Sequence, residues 1–284
     1  MRVDIGGGVR LYFDVEGAGL VPADTEMVKR PTLILLHGGP GFDHSGYKPA
    51  FSQFADICQV VYLDHRGQGR SDWRTPDEWT LDTWADDVVR FCDALEIEKP
   101  IVLGNSFGGF VAQRYGHRHP GHAAKLVFSS TVGKTSIPPI VEMFRKLGGD
   151  EAAQVAETFW IDPTIENQRV YLKTCGPFYT QRPGNLFAET RTIRNPEVLM
   201  KFFETGSGEG LTFDELPHLH KVASPVLVLA GALDPVCPKA GSDAIVAALP
   251  PELVRYEVFE NAGHGVFRDD PDRAFAVLRE FILS

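Results

Sequence analysis

The sequence predicts an α/β protein: a mostly parallel, doubly wound sheet with an inserted helical cap. Three observations predict it. Apolar runs of strand length alternate with segments whose apolar residues fall at helical spacing, the pattern of βα units. One such run, Ile101-Val102-Leu103, ends in the tight turn Gly104-Asn105-Ser106-Phe107-Gly108, and a helical pattern with Phe110, Val111 and Tyr115 begins at once. From residue 133 to 222 the strand runs disappear, helical spacing takes over and aromatics accumulate, including Phe144, Phe159, Trp160, Tyr171, Phe178, Tyr179, Phe202, Phe203 and Phe213. The expected organisation is a core of residues 1–132 and 223–284 with a cap of residues 133–222.

The elements follow in order. Val3 and Ile5, then Val9, Leu11 and Phe13, alternate around Gly6-Gly7-Gly8 and predict an antiparallel hairpin at one edge of the sheet. Thr32-Leu33-Ile34-Leu35-Leu36 is a continuous apolar run, as expected of a strand covered on both faces, and feeds His37-Gly38-Gly39-Pro40-Gly41. No Gly-Lys-Ser/Thr or Gly-x-Gly-x-x-Gly accompanies that loop, so nucleotide binding is not supported. Val60-Val61-Tyr62-Leu63 is a third strand, followed by the charged segment Asp64-His65-Arg66-Gly67-Gln68-Gly69-Arg70-Ser71, read as a structural tie through a buried Asp64–Arg66 pair. Leu81, Trp84, Val88, Phe91 and Leu95 predict an amphipathic helix over 81–95. Lys125–Ser129 is the fifth strand. Strands return with Val226–Gly231 and Val254–Phe259, and a helix over 274–282 closes the chain.

Composition narrows the function. With 284 residues and 43% hydrophobic content the chain can build a large core, and its net charge of −10 without a basic cluster argues against nucleic acid or an anionic membrane as partner. A small neutral or cationic ligand, a small molecule or a short peptide, suits it better. No run has the length of a signal-peptide core or a membrane span, which predicts a cytoplasmic location. Cys58, Cys92, Cys175 and Cys237 are far apart, which predicts reduced core thiols rather than disulfides or zinc ligands. The spacing His117, His119, His122 lies at a helix end with no Cys or acidic ligand beside it and is not read as a metal site.

The strand–turn–helix setting of Gly104–Gly108 identifies a nucleophile elbow, a turn so sharp that its glycines must lack side chains while Ser106 projects its Oγ above the sheet. On such a scaffold an acid and then a histidine follow the serine in the chain. Of nine histidines only His264 follows both a late strand and a plausible acid, Asp234, at the end of Val226–Gly231. Ser106, His264 and Asp234 are therefore expected as nucleophile, general base and orienting acid. The backbone N–H groups of Phe107 and Gly39 are expected to hold the oxyanion. This chemistry requires neither a metal nor an organic cofactor.

With these residues the chain resembles the α/β-hydrolase fold family over nearly its whole length and, more narrowly, the proline iminopeptidase group. The resemblance is carried by His37-Gly38-Gly39-Pro40-Gly41, by Asp64-x-Arg66-Gly67-x-Gly69-Arg70-Ser71, by the elbow, and by a cap inserted before the strand ending at Asp234. It implies release of an N-terminal proline from peptides, with cap carboxylates holding the substrate's α-amino group, and the expected activity is an aminopeptidase releasing N-terminal proline or another small residue. Glu204 and Glu209 lie where the group carries such a carboxylate. The chain departs from the group at Asn105, Phe107, His65 and Pro235; Gly-Asn-Ser-Phe-Gly and Asp-His-Arg-Gly also occur in esterase-like and carbon–carbon-bond hydrolase relatives. An esterase or lactonase using the same three residues, and a binding protein of the same fold without turnover, remain the alternatives.

Overall fold

The computed structural model describes residues 1–182 and 190–284. Its main sheet contains, in chain order, β1 (Arg2–Asp4), β2 (Arg10–Glu16), β5 (Thr32–Leu36), β6 (Gln59–Leu63), β7 (Ile101–Asn105), β8 (Lys125–Ser129), β9 (Val226–Gly231) and β10 (Val254–Phe259). Their spatial order is β1-β2-β6-β5-β7-β8-β9-β10. The β1–β2 hairpin forms one edge and joins β6 antiparallel, and every pairing from β6 to β10 is parallel. A separate hairpin, β3 (Leu20–Ala23) with β4 (Glu26–Lys29), was not expected from the sequence. Its residues are almost all exposed, so no buried face imprints an apolar alternation on them.

The continuous apolar runs have a direct cause. Alternate residues of one strand enter different cores. Ile34, Leu36, Val61, Leu63 and Val102 pack on the face covered by α1 (Leu81–Ala94) and α2 (Phe107–Arg118), whereas Leu33, Leu35, Val60, Tyr62 and Leu103 pack with Phe275, Leu278 and Phe281 of the helix Pro271–Leu283. Truncating one of these fully buried leucines to alanine removes about 2–5 kcal/mol. Helix α1 begins at Thr80, whose Oγ1 accepts the Thr83 N–H at 3.1 Å, and it buries Trp84, Val88 and Phe91. All four cysteines are free and buried.

Between β8 and β9 lie α3 (Ile137–Ile161), α4 (Ile165–Cys175) and the short helices Pro196–Phe202 and Glu209–Thr212. Glu215, fully buried, joins this segment to α2 by accepting from Arg114 Nη2 at 2.7 Å and by pairing with His117. His119 pairs with Asp86 at 2.8 Å and His122 with the Tyr115 hydroxyl at 2.6 Å, so the three histidines have three separate structural partners. The Asp64–Arg66 pair is corrected. Asp64 instead accepts from His44 Nδ1 at 2.7 Å and from the His44 and Arg70 N–H groups, while Arg66 grips Asp87 and Glu78. Asp64 ties its loop to the His44 turn, and Arg66 ties the same loop to α1 and the turn before it. No described helix is long and apolar enough to cross a membrane.

Candidate active site

Ser106 stands between β7 and α2 with φ 55° and ψ −118°, a strained conformation for a residue with a Cβ, of the kind that costs about 1–3 kcal/mol. The surroundings enforce it. Ser106 N–H donates to Ser129 O at 2.9 Å, and Thr131 Oγ1 donates to Ser106 O at 3.0 Å. A Cβ on Gly104 would run into the Gly108 carbonyl, and one on Gly108 would run into the Leu36 carbonyl of the neighbouring strand. Both glycines are therefore required by backbone contact, and the serine is left projecting.

His264 and Asp234 arrive from the ends of β10 and β9. Ser106 Oγ lies 2.9 Å from His264 Nε2, and His264 Nδ1 lies 2.8 Å from Asp234 Oδ2. Asp234 is completely buried, and its Oδ1 accepts the Val236 and Cys237 N–H groups, both at 2.8 Å, which leaves Oδ2 for the imidazole. In this geometry the imidazole can take the serine proton while the carboxylate fixes its tautomer and stabilises the cation that forms.

The histidine loop is braced by a residue that the sequence does not reveal. Asp269, buried, accepts the Gly263 N–H at 2.7 Å and the Gln181 N–H at 3.0 Å, and also pairs with the Thr180 hydroxyl. His264 N–H donates to Tyr179 O at 2.7 Å, and a Cβ on Gly263 would come within 2.6 Å of that oxygen. The loop carrying the imidazole is thus sewn to residues 179–181 of the inserted segment.

The glycine loop after β5 lies against the serine; a Cβ on Gly38 would sit 3.3 Å from Ser106 Cβ. The N–H groups of Gly39 and of Phe107, the first residue of α2, donate to no other group among the described residues. Two free donors beside a nucleophile, one at a helix N-terminus, suit a developing oxyanion. Gly41 is held from both sides: its N–H donates to Gln68 Oε1 at 2.6 Å, and its carbonyl accepts the Asn195 N–H at 2.8 Å. Asn195 Nδ2 also donates to Gly67 O at 2.8 Å, so one buried residue ties two core loops to the inserted segment. Burial pushes the pKa values of His37 and His65, which flank this loop, below the usual imidazole value.

Ser106 opens into a cavity of about 1410 Å³. Phe159, Trp160, Tyr171, Tyr179 and Phe203 line it. Phe144 is fully buried away from it, and Phe202 packs on the Phe107 ring at 5.2 Å. The aromatics of the segment between β8 and β9 thus divide between wall and core.

The two glutamates expected to hold an amine are not in this cavity. Glu204 is exposed and pairs with Lys201 at 2.6 Å. Glu209 accepts the Leu81 N–H at 2.7 Å, capping α1, and burial raises its pKa. Glu204 turns to Lys201 and Ser207 and Glu209 to the first turn of α1, directions that chain position does not encode. The cavity's one described carboxylate, Asp43, is already bonded to Ser45, Arg70 and the Ile193 N–H. Asp234, Cys237 and His264 bring potential metal-ligand atoms within 4.8 Å of one another, but Asp234 is saturated by its donors and burial pushes the Cys237 thiol far up, so this donor set is a poor metal site.

A mostly parallel sheet with a strained serine after β7, and an acid and histidine after its last two strands, is the arrangement of the alpha/beta hydrolase fold, and the model of that fold matches residues 31–159. Within that fold the chain is similar to proteins named proline iminopeptidase. It is 26% identical over 283 residues to the proline iminopeptidase PfmaB of Pestalotiopsis fici, covering 95% of this chain and 98% of that one. It is 28% identical over 300 residues to a proline iminopeptidase of Lactobacillus helveticus, covering 97% and 95%. The crystal structure of the Mycobacterium smegmatis proline iminopeptidase superposes with a TM-score of 0.78 at 24% identity, covering 99% of this chain and 97% of that one.

Proposed function

We propose that this protein is a serine hydrolase that cleaves a small ester or amide through an acyl-enzyme on Ser106. The observation that carries this reading is the unbroken hydrogen-bond chain from Ser106 Oγ through His264 to Asp234 Oδ2. His264 takes the Ser106 proton as Oγ attacks the acyl carbon, and the Phe107 and Gly39 N–H groups receive the charge on the acyl oxygen. The imidazolium then returns the proton to the leaving oxygen or nitrogen. Water, deprotonated by the same imidazole, releases the acid and regenerates the serine.

Two substrate classes compete. The relatives' names support an aminopeptidase that releases an N-terminal proline from short peptides. The cavity favours an ester or other acyl substrate without a free amine, because no described carboxylate in it is free to receive an ammonium group. The deciding measurement is kcat/KM for a proline aryl amide against a short-chain aryl ester, with Ser106→Ala as blank. Turnover of either substrate that vanishes in Ser106→Ala supports the hydrolase reading. Amide turnover exceeding ester turnover returns the substrate assignment to the peptidase. Rates unchanged by Ser106→Ala refute the mechanism.

A further inference from the structure

The charges around the cavity run against those of the molecule. The chain carries 28 lysines and arginines against 38 aspartates and glutamates, yet among its described lining residues the cavity has six of the former and one of the latter. The six are Lys48, Lys134, Lys173, Arg182, Arg194 and Arg268, and the one carboxylate is the committed Asp43. A wall with the average composition of this chain would carry more acids than bases.

The cations differ in availability. Lys48 pairs with Asp14 and Glu16, and Lys134 with Asp214 at 2.8 Å. Arg268 stands beside the imidazole loop, its Nη2 3.3 Å from the His264 carbonyl, with Asp269 at 3.6 Å from Nε. Lys173, Arg182 and Arg194 are exposed and have no carboxylate partner among the described residues; Arg194 rests on the Phe42 ring at 5.3 Å. Three cations with no carboxylate partner among the described residues, on the wall of a cavity rich in aromatic side chains, give that wall a charge opposite in sign to the chain's net charge of −10.

We propose that this cavity selects acyl substrates bearing a negative charge, such as a carboxylate, remote from the bond that Ser106 attacks, and discriminates against substrates bearing a free ammonium group. The inference rests on the serine-hydrolase reading above and assigns its substrate class. Lys173, Arg182 and Arg194 receive the anion, and the aromatic wall takes the hydrocarbon between anion and acyl carbon. The chemistry at Ser106 is unchanged; the charge acts on capture and orientation of the substrate.

The test compares three para-nitrophenyl esters of matched acyl length: the hexanoate, the adipate monoester with its distal carboxylate, and the 6-aminohexanoate with its distal ammonium. At low ionic strength wild-type kcat/KM should rank adipate over hexanoate over aminohexanoate, each step on the order of tenfold. At about 1 M salt the steps should shrink to about twofold or less, since the Debye length falls to about 3 Å. In the triple variant Lys173→Gln, Arg182→Gln, Arg194→Gln the adipate-to-hexanoate ratio should fall to about one. The ratio is the readout because general damage to the variant lowers both rates together. Cleavage of all three esters by the wild type without this ranking, with turnover still abolished by Ser106→Ala, overturns the inference and leaves the hydrolase reading standing. Absence of Ser106-dependent turnover on all three overturns that reading and this inference with it.

Discussion

Replacing Asp269 with alanine probes the support of the active-site geometry without touching a reacting atom. Its carboxylate, fully buried, accepts two backbone N–H groups, at 2.7 Å from Gly263 and 3.0 Å from Gln181, and bonds the Thr180 hydroxyl. Hydrogen bonds to a charged acceptor contribute about 1.5–3 kcal/mol each, and entering water recovers part of the loss, so Asp269→Ala should destabilise the fold by about 3–5 kcal/mol. The effect on catalysis follows from chain connectivity. Gly263 directly precedes His264, so a loop freed at that N–H lets the imidazole drift from Ser106 Oγ, now 2.9 Å away. A displacement of about 1 Å should lower kcat on the order of a hundredfold. Because the residue does not line the cavity, KM should move little. Urea unfolding gives the first number and kcat with an aryl ester the second, measured where the variant is still folded. A folded Asp269→Ala protein with kcat within about twofold of wild type would refute the claim that this brace positions the histidine.

Other substitutions separate the remaining parts. Asp234→Asn keeps the size of the orienting group but offers the wrong tautomer, and kcat should fall on the order of a thousandfold to ten-thousandfold with stability nearly intact; a loss under about tenfold would remove Asp234 from the mechanism. Glu209→Gln should cost about 0.5–2 kcal/mol through the weakened cap on Leu81. Glu204→Gln should leave stability within about 0.5 kcal/mol, and neither should change KM for an amino-acyl arylamide; a raised KM would restore the amine anchor. His37 and His65 are buried with lowered pKa values, so the unfolded chain takes up protons first as pH drops below 6.5. Their contribution is therefore complete above that pH and is lost below it, at up to about 1.4 kcal/mol per pH unit for each proton. Thermal unfolding at pH 7.5 and 5.5 should show this slope, and His65→Gln should flatten it; an unchanged slope would mean that His65 is not the group responsible.

Sequence was most informative where one chemical demand leaves one choice of residue. Gly104 and Gly108 sit where a Cβ would strike a carbonyl, so the elbow was legible, and the order of serine, acid and histidine along the fold singled out Asp234 and His264. Strands buried on both faces, such as Leu33–Leu36, were equally plain because each residue must be apolar. The exposed β3–β4 hairpin was not legible, since nothing constrains its side chains. Gln68, Asn195 and Asp269 escaped for another reason. Each acts chiefly on backbone N–H and carbonyl groups that every segment of chain offers, so only the fold says which they meet. Gln68 at least lies in a polar segment that stood out. Glu204 and Glu209 illustrate the converse. Charge and position along the cap were visible, but the direction of the side chains was not, and both point elsewhere. The same limit kept wall aromatics such as Tyr171 and Tyr179 from being told apart from core aromatics such as Phe144.

Activation of Ser106 as a nucleophile is tested most directly by intact-protein mass spectrometry after brief exposure to a fluorophosphonate. A single stoichiometric adduct is expected, mapped to Ser106, absent in Ser106→Ala and formed far more slowly in His264→Ala. An unlabelled folded wild type, or an adduct that persists in Ser106→Ala, would contradict it.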